Sequence, residues 1–243
     1  MGKNVVTWTV RVIVYIGLLA FFIWVFSNSY LNHLVENFEE FLVLLRQHIQ
    51  LVALSSFLAI AVAVPSAILV TRPQFQRFEG VVSTVVNFGY TIPNMAILAL
   101  MMGIMGIGFQ TAVVALFIYS ILPIFRNTLA GIQSVNSNLI DSAKGMGFKP
   151  YQILFKVELP NAAYSIIAGI RTAVVINIGA TALAYLIGGG GLGNWIFVGI
   201  NVFDNSILIS GALPITILAI TVDLFLRLLE RKVVPRGARP STR

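Results

Sequence analysis

The sequence predicts an all-α, polytopic membrane protein of about six transmembrane helices, with both termini in the cytoplasm. Three observations carry that expectation. Composition is the first: 58% of the 243 residues are hydrophobic and only 10% are charged, against about 25% charged in a soluble domain. A soluble core of this size could not hide so much apolar surface. Second, the apolar residues gather in stretches close to the roughly 20 residues that cross the hydrocarbon core as a helix. Third, lysine and arginine crowd into alternate connections, as the positive-inside bias requires. The net charge of +7 is therefore read as cytoplasmic loops, and no nucleic-acid partner is expected. Cysteine is absent, which excludes a disulfide framework, a thiol nucleophile and a thiolate metal site.

Taken in order, the spans are expected at 5–27, 48–70, 80–102, 109–128, 161–187 and 206–228. Residues 1–27 also have the outline of a signal peptide, with Lys3 ahead of an apolar run. Arg11 interrupts that run, and Ser27-Asn28-Ser29 is a poor cleavage site, so a retained first span is the expectation. Residues 31–47 carry Glu36, Glu39, Glu40 and Arg46 among apolar positions; they read as an amphipathic helix on the outer surface. Pro93 in the third span, within Tyr90-Thr91-Ile92-Pro93-Asn94, should kink the helix at mid-membrane and free a carbonyl. Broken backbone at that depth is tolerated where it is buried or lines a cavity, so Tyr90, Pro93 and Asn94 are pathway candidates. The run Gly188 to Gly193 follows no strand and lacks a Lys-Ser/Thr ending, so it is not a phosphate loop. It should end the fifth span and bend the chain near the membrane surface, with Trp195 as an interfacial anchor. The chain thus divides into 1–47 (first span and outer amphipathic segment), 48–232 (the membrane domain, with a polar loop at 131–160) and a basic tail, 233–243, expected to be disordered and near anionic lipid.

With both termini inside, the inner segments hold Lys3, Arg72, Arg77, Arg126, Lys144, Lys149, Lys156 and the basic residues from 231 to 243; the outer ones hold Arg46 alone. The polar loop therefore falls on the cytoplasmic side. Asn136, Ser137 or Asn138 can cap a helix there, Asp141 suits its first turn, and Gly145 and Gly147 should break it before Lys149-Pro150 restarts the chain. A connection of that length with its own helices is usually functional, although an ordinary loop would read the same way.

Inside the membrane, Arg171 and Asp223 are costly enough to need a reason. Both fall within a few turns of the inner face, where they could pair; alternatively Arg171 snorkels, or either touches substrate. Asn177, Thr181 and Tyr185 recur every four residues and so share a helical face. That stripe suits either pore lining or hydrogen bonding between helices.

The island Asp141-Ser142-Ala143-Lys144-Gly145-Met146-Gly147 resembles the coupling loop of permease subunits in bacterial ABC importers. Its glycine stands six positions after the acid, and Val157-Glu158-Leu159-Pro160 closes the pattern after nine intervening residues. Asp141 and Ser142 depart from the usual glutamate and alanine; Ala143, Gly147, Leu159 and Pro160 match. Val64-Pro65 with Thr71-Arg72-Pro73, Leu122 to Thr128, Ala168 to Thr172 and Gly188 to Gly193 look like the branch that imports osmoprotectants: glycine betaine, carnitine, choline or proline betaine. The likeness covers roughly 45–237 and leaves the first span unread. It implies a five-helix type I importer permease core with an added N-terminal helix, in a bacterial plasma membrane. It implies partners as well: ATPase subunits on the coupling loop, an extracellular substrate-binding protein, and a second copy or a similar permease. ATP and magnesium would belong to the ATPase. A methionine or other small-nutrient permease is the nearest alternative. A stand-alone secondary transporter is the rival from another class, but it generally needs ionisable groups along its path, and few are present. No catalytic motif and no metal set stands in the sequence; His33 and His48 are read as surface or interfacial.

Overall fold

The computed structural model describes residues 27–234, with scattered positions before them and without the side chains of Tyr90 and Val233. The expected first span at 5–27 and the tail beyond 234 lie largely outside the described residues. Among these every element is helical: α1 Asn32–Glu36, α2 Phe38–Val70, α3 Glu79–Thr91, α4 Asn94–Met105, α5 Phe109–Gln133, α6 Ser137–Gly145, α7 Pro150–Ile153, α8 Leu159–Ala180, α9 Gly193–Val202 and α10 Asn205–Val233. α2, α5, the unit running from α7 through α8, and α10 are each long and apolar enough to cross a membrane, and α3 with α4 forms a fifth, bent pair.

Several boundaries differ from expectation. Residues 38–47 are not a separate surface helix; they begin α2, which runs unbroken for 33 residues. At 1.5 Å per residue that is about 50 Å, against a hydrocarbon core of about 30 Å. The first turns of α2 thus stand clear of lipid, which is why Glu39, Glu40 and Arg46 are tolerated there. Pro65, Pro123 and Pro214 are absorbed within α2, α5 and α10, whereas Pro93 breaks its span outright. There Ile92 and Pro93 are extended, and α4 restarts behind the proline.

α5 and α8 form the centre. Small residues let their backbones approach: a Cβ on Gly169 would stand 2.5 Å from Asn127 Cβ and 2.9 Å from the Pro123 carbonyl oxygen, and one on Gly131 would stand 2.8 Å from Ser165. Such small-residue contacts suit association in lipid, where packing rather than the hydrophobic effect holds helices together. α2 packs along the same pair through Ala59, Ala63 and Ala67 against Ile124, Phe125 and Ala173.

At the end opposite the basic loops, α8 tightens into a 3₁₀ segment, Thr181–Ile187, and the glycine run leads into α9. This run is a packing device: Cβ atoms would meet Ala112 from Gly189, Gln47 from Gly190 and the Ala182 carbonyl from Gly193. Trp195 is not an interfacial anchor. It is 2% exposed, packs with Leu192, Ile178 and Ile215, and donates to Glu40 Oε1 at 3.2 Å. His48 is likewise no surface residue: it is fully buried, with Nε2 3.0 Å from the Ile178 carbonyl oxygen. That carbonyl sits just where α8 begins to tighten, and the imidazole N–H supplies it with a donor from α2.

Candidate functional site

The polar loop is a compact knob beyond the ends of the spans. Asn136 caps α6, accepting from the Asn138 N–H at 2.9 Å. Gly145 continues the helix and does not break it; Gly147 alone ends it. At φ +80° Gly147 donates to the Lys144 carbonyl, and Phe148 donates to that of Ala143. This pair of bonds is the Schellman closure, which needs a left-handed residue at that position. The Lys149 N–H then donates to Gln152 Oε1 at 2.8 Å, starting α7 behind Pro150. Around the knob, Asp141, Ser142, Lys144, Gly145, Met146 and Gly147 face outward, while Ala143 is 1% exposed and seats it. Asp141 and Lys144 pair on the surface at 3.0 Å. Leu159 and Pro160 are half-buried at the start of α8, following a π-turn over Leu154–Glu158.

The knob rests beside the turn that follows α2. Thr71, Arg72 and Pro73 on one side, and Ile140, Lys144, Phe148 and Glu158 on the other, line a cavity of about 430 Å³. Arg72 Nη2 lies 2.6 Å from Glu158 Oε2 across it, as an ion pair and not an aligned hydrogen bond. Both residues stood within the sequence motifs, but a separation of 86 positions hid their pairing.

In the membrane interior the stripe divides. Asn177 is fully buried and donates to Ser55 Oγ at 2.7 Å and Ser56 Oγ at 2.9 Å on α2. Thr181 is also buried and donates to the Asn177 carbonyl. Asn177 turns into a helix–helix seam and not toward open space, because α2 presents hydroxyls opposite it, and Thr181 is buried on the same face while bonding its own helix. Tyr185 leaves their face: over a 3₁₀ segment four residues advance about 120° beyond a full turn, instead of about 40°. It is half-buried and stacks on Phe197, ring centres 5.9 Å apart. At the broken span Pro93 is exposed, Asn94 is half-buried with Oδ1 lacking a partner, and nearby Asn87 Oδ1 is also unpartnered.

Arg171 lies between two carboxylates of α10. Its Nε is 3.5 Å from Asp223 Oδ1 and its Nη1 3.1 Å from Glu230 Oε2; Arg227 holds Asp223 from the other side at 3.1 Å. Glu230 escaped sequence reasoning because it stands in the polar end of the last helix, two turns past Asp223, where a charge attracts no notice.

The family of binding-protein-dependent transport system inner membrane components matches residues 59–235, which take in the knob, the charge cluster and the α8 side of the seam. The chain belongs to that family. It is a multi-pass transport component of the inner membrane. Among relatives of this permease, the choline transport system permease protein OpuBB of Bacillus subtilis is 44% identical over 85% of this chain and 96% of its own. The glycine betaine/carnitine/choline permease protein OpuCB of the same organism is 43% identical over 86% and 96%. In fold, the permease resembles an inward-facing MetNI methionine ABC transporter structure, with TM-score 0.72 and 23% identity over 80% of this chain and 96% of that one.

Proposed function

We propose that this permease forms the translocation pathway of an ATP-driven importer for osmoprotectants of the glycine betaine, carnitine and choline class. The exposed knob carries the reading: α6, closed by Gly147 and seated on Ala143, presents Asp141, Ser142, Lys144 and Met146 at the basic end of the spans, where ATPase subunits would dock. In this reading residues 131–160 are the coupling loop of a membrane domain spanning 48–232, residues 1–47 add a helix and an outer segment, and 233–243 are a basic tail near lipid. Both termini face the cytoplasm. A second copy or a similar permease completes the pathway, an extracellular binding protein delivers the ligand, and ATP with magnesium stays on the ATPase. The substrate class follows the two relatives named above. The pathway runs past the broken span at Pro93 and Asn94, whose helix ends leave backbone groups that only a cavity or protein can satisfy. ATP drives import only insofar as it favours one conformation over the other.

The experiment is uptake by vesicles holding the permease, its ATPase and its binding protein. Glycine betaine, carnitine or choline should accumulate only with ATP. Gly145→Trp, at a position where a side chain meets nothing within this chain, should abolish co-purification of the ATPase or uncouple hydrolysis from uptake. Uptake by the permease without any ATPase would defeat the proposal.

A further inference from the structure

The Arg72–Glu158 pair has a placement that suits transmission, granted the importer reading above. Glu158 is the last residue of the π-turn between the knob and α8, and Arg72 lies in the turn that ends α2. The carboxylate side chain is only 10% exposed and the guanidinium 22%. Arg72 is itself held, donating from Nε to the Ile68 carbonyl oxygen at 3.3 Å and from Nη2 to Thr71 Oγ1 at 2.9 Å. The ion pair therefore joins the knob's exit to the end of a helix and not to a loose side chain. Separating the charges would strand each in a poorly solvated site, so the pair resists being pulled apart.

The covalent path from the knob to α8 runs through the π-turn, a rare departure from α geometry that recurs at functional sites. A displacement of α6 carried by that path alone can be taken up as a change of register in the turn. The ion pair offers a second route, into α2. Deeper in the membrane, α2 is bonded to α8 through Ser55, Ser56 and Asn177 and through His48 and the Ile178 carbonyl. Knob, Glu158, Arg72, α2, seam and α8 form a closed ring of contacts. We propose that Arg72 and Glu158 are a positioning strut that carries the stroke of the ATPase from the coupling helix into α2, so that α2 and α8 move as one.

The test uses the complete complex in vesicles and measures substrate imported per ATP hydrolysed. Glu158→Gln and Arg72→Gln should each lower that ratio about tenfold while the assembled complex still hydrolyses ATP. The double variant should fall no further, because either change removes the same strut. An unchanged ratio in the single variants, even with less complex assembled, would overturn the proposal and leave the pair a structural contact. A double variant falling by the product of the two would overturn it by showing independent roles. Should Glu158→Gln not assemble, Arg72→Lys keeps a cation at the site and carries the test: the ratio then drops about threefold on the proposal and not at all otherwise. Absence of ATP-driven uptake in the unmodified complex is a separate result that defeats the importer reading and the strut with it.

Discussion

Gly145 and Gly147 look alike in sequence and differ in kind. Gly147 holds φ +80° and closes α6, whereas Gly145 is an ordinary helical residue facing open space. Gly147→Ala should therefore destabilise the knob by about 1–2 kcal/mol, the cost of a left-handed Cβ, seen as faster proteolysis or amide exchange at 137–150 with the spans unaffected. Gly145 carries no such strain, so a bulky residue there reports docking alone. Asn177 belongs to the same scale. Removing it leaves Ser55 and Ser56 without their donor, and interhelical hydrogen bonds in membranes are worth about 0.6 kcal/mol, rising to about 1.7. Asn177→Leu should lower the thermal midpoint in detergent modestly; an unchanged midpoint would mean the seam contributes nothing to stability. The repeat of polar residues at 177, 181 and 185 was legible in the sequence. Its destination was not, because the hydroxyls that turn Asn177 inward stand more than a hundred positions away on α2.

At the scale of elements, crossings are set by close backbone approach and by charge. A Cβ on Gly193 would run into the Ala182 carbonyl oxygen, and the tight turn between α8 and α9 cannot yield without moving both. Gly193→Ala should cost about 1–3 kcal/mol as overpacking, measured as lost folded yield and a lower unfolding midpoint. The α8–α10 crossing depends on Arg171 instead. Arg171→Met would strand Glu230, leave Asp223 with Arg227 alone, and should cost about 3 kcal/mol, toward the lower end for breaking a buried pair because the site is partly solvated. A double-mutant cycle should show stronger coupling of Arg171 to Glu230 than to Asp223. The Glu230 contact is shorter and less exposed, and Asp223 is shared with Arg227. Equal coupling energies would refute that ranking. The sequence marked Arg171 and Asp223 as a pair because charges in apolar runs are conspicuous; it gave no sign of the four-residue network.

For the molecule as a whole, orientation is the open quantity with the sharpest test. The chain has no cysteine, so single cysteines report unambiguously. Asn201→Cys and Glu39→Cys, both exposed at the end away from the basic loops, should react with an impermeant maleimide in intact cells. Ser137→Cys, on the knob, should react only after the membrane is opened. Labelling of position 137 from outside would reverse the topology and remove the knob from reach of any cytoplasmic ATPase.

The sequence by itself determined the class, the apolar spans from 48 onward apart from the sharp break at Pro93, and where along the chain the polar knob stands. Each of these rests on a one-dimensional quantity: the length of an apolar run against the thickness of a bilayer, and the spacing of Asp141, Gly147 and Leu159-Pro160. Only the tertiary structure decided that α2 begins at Phe38, that Trp195 and His48 are interior residues, that Asn177 binds α2, and that Arg72 meets Glu158. Those facts depend on which residue stands opposite across a helix interface. A polar side chain in an apolar run must find a partner somewhere, since lipid offers none. The chain's own pattern shows the need, and only the packing of distant helices supplies the partner.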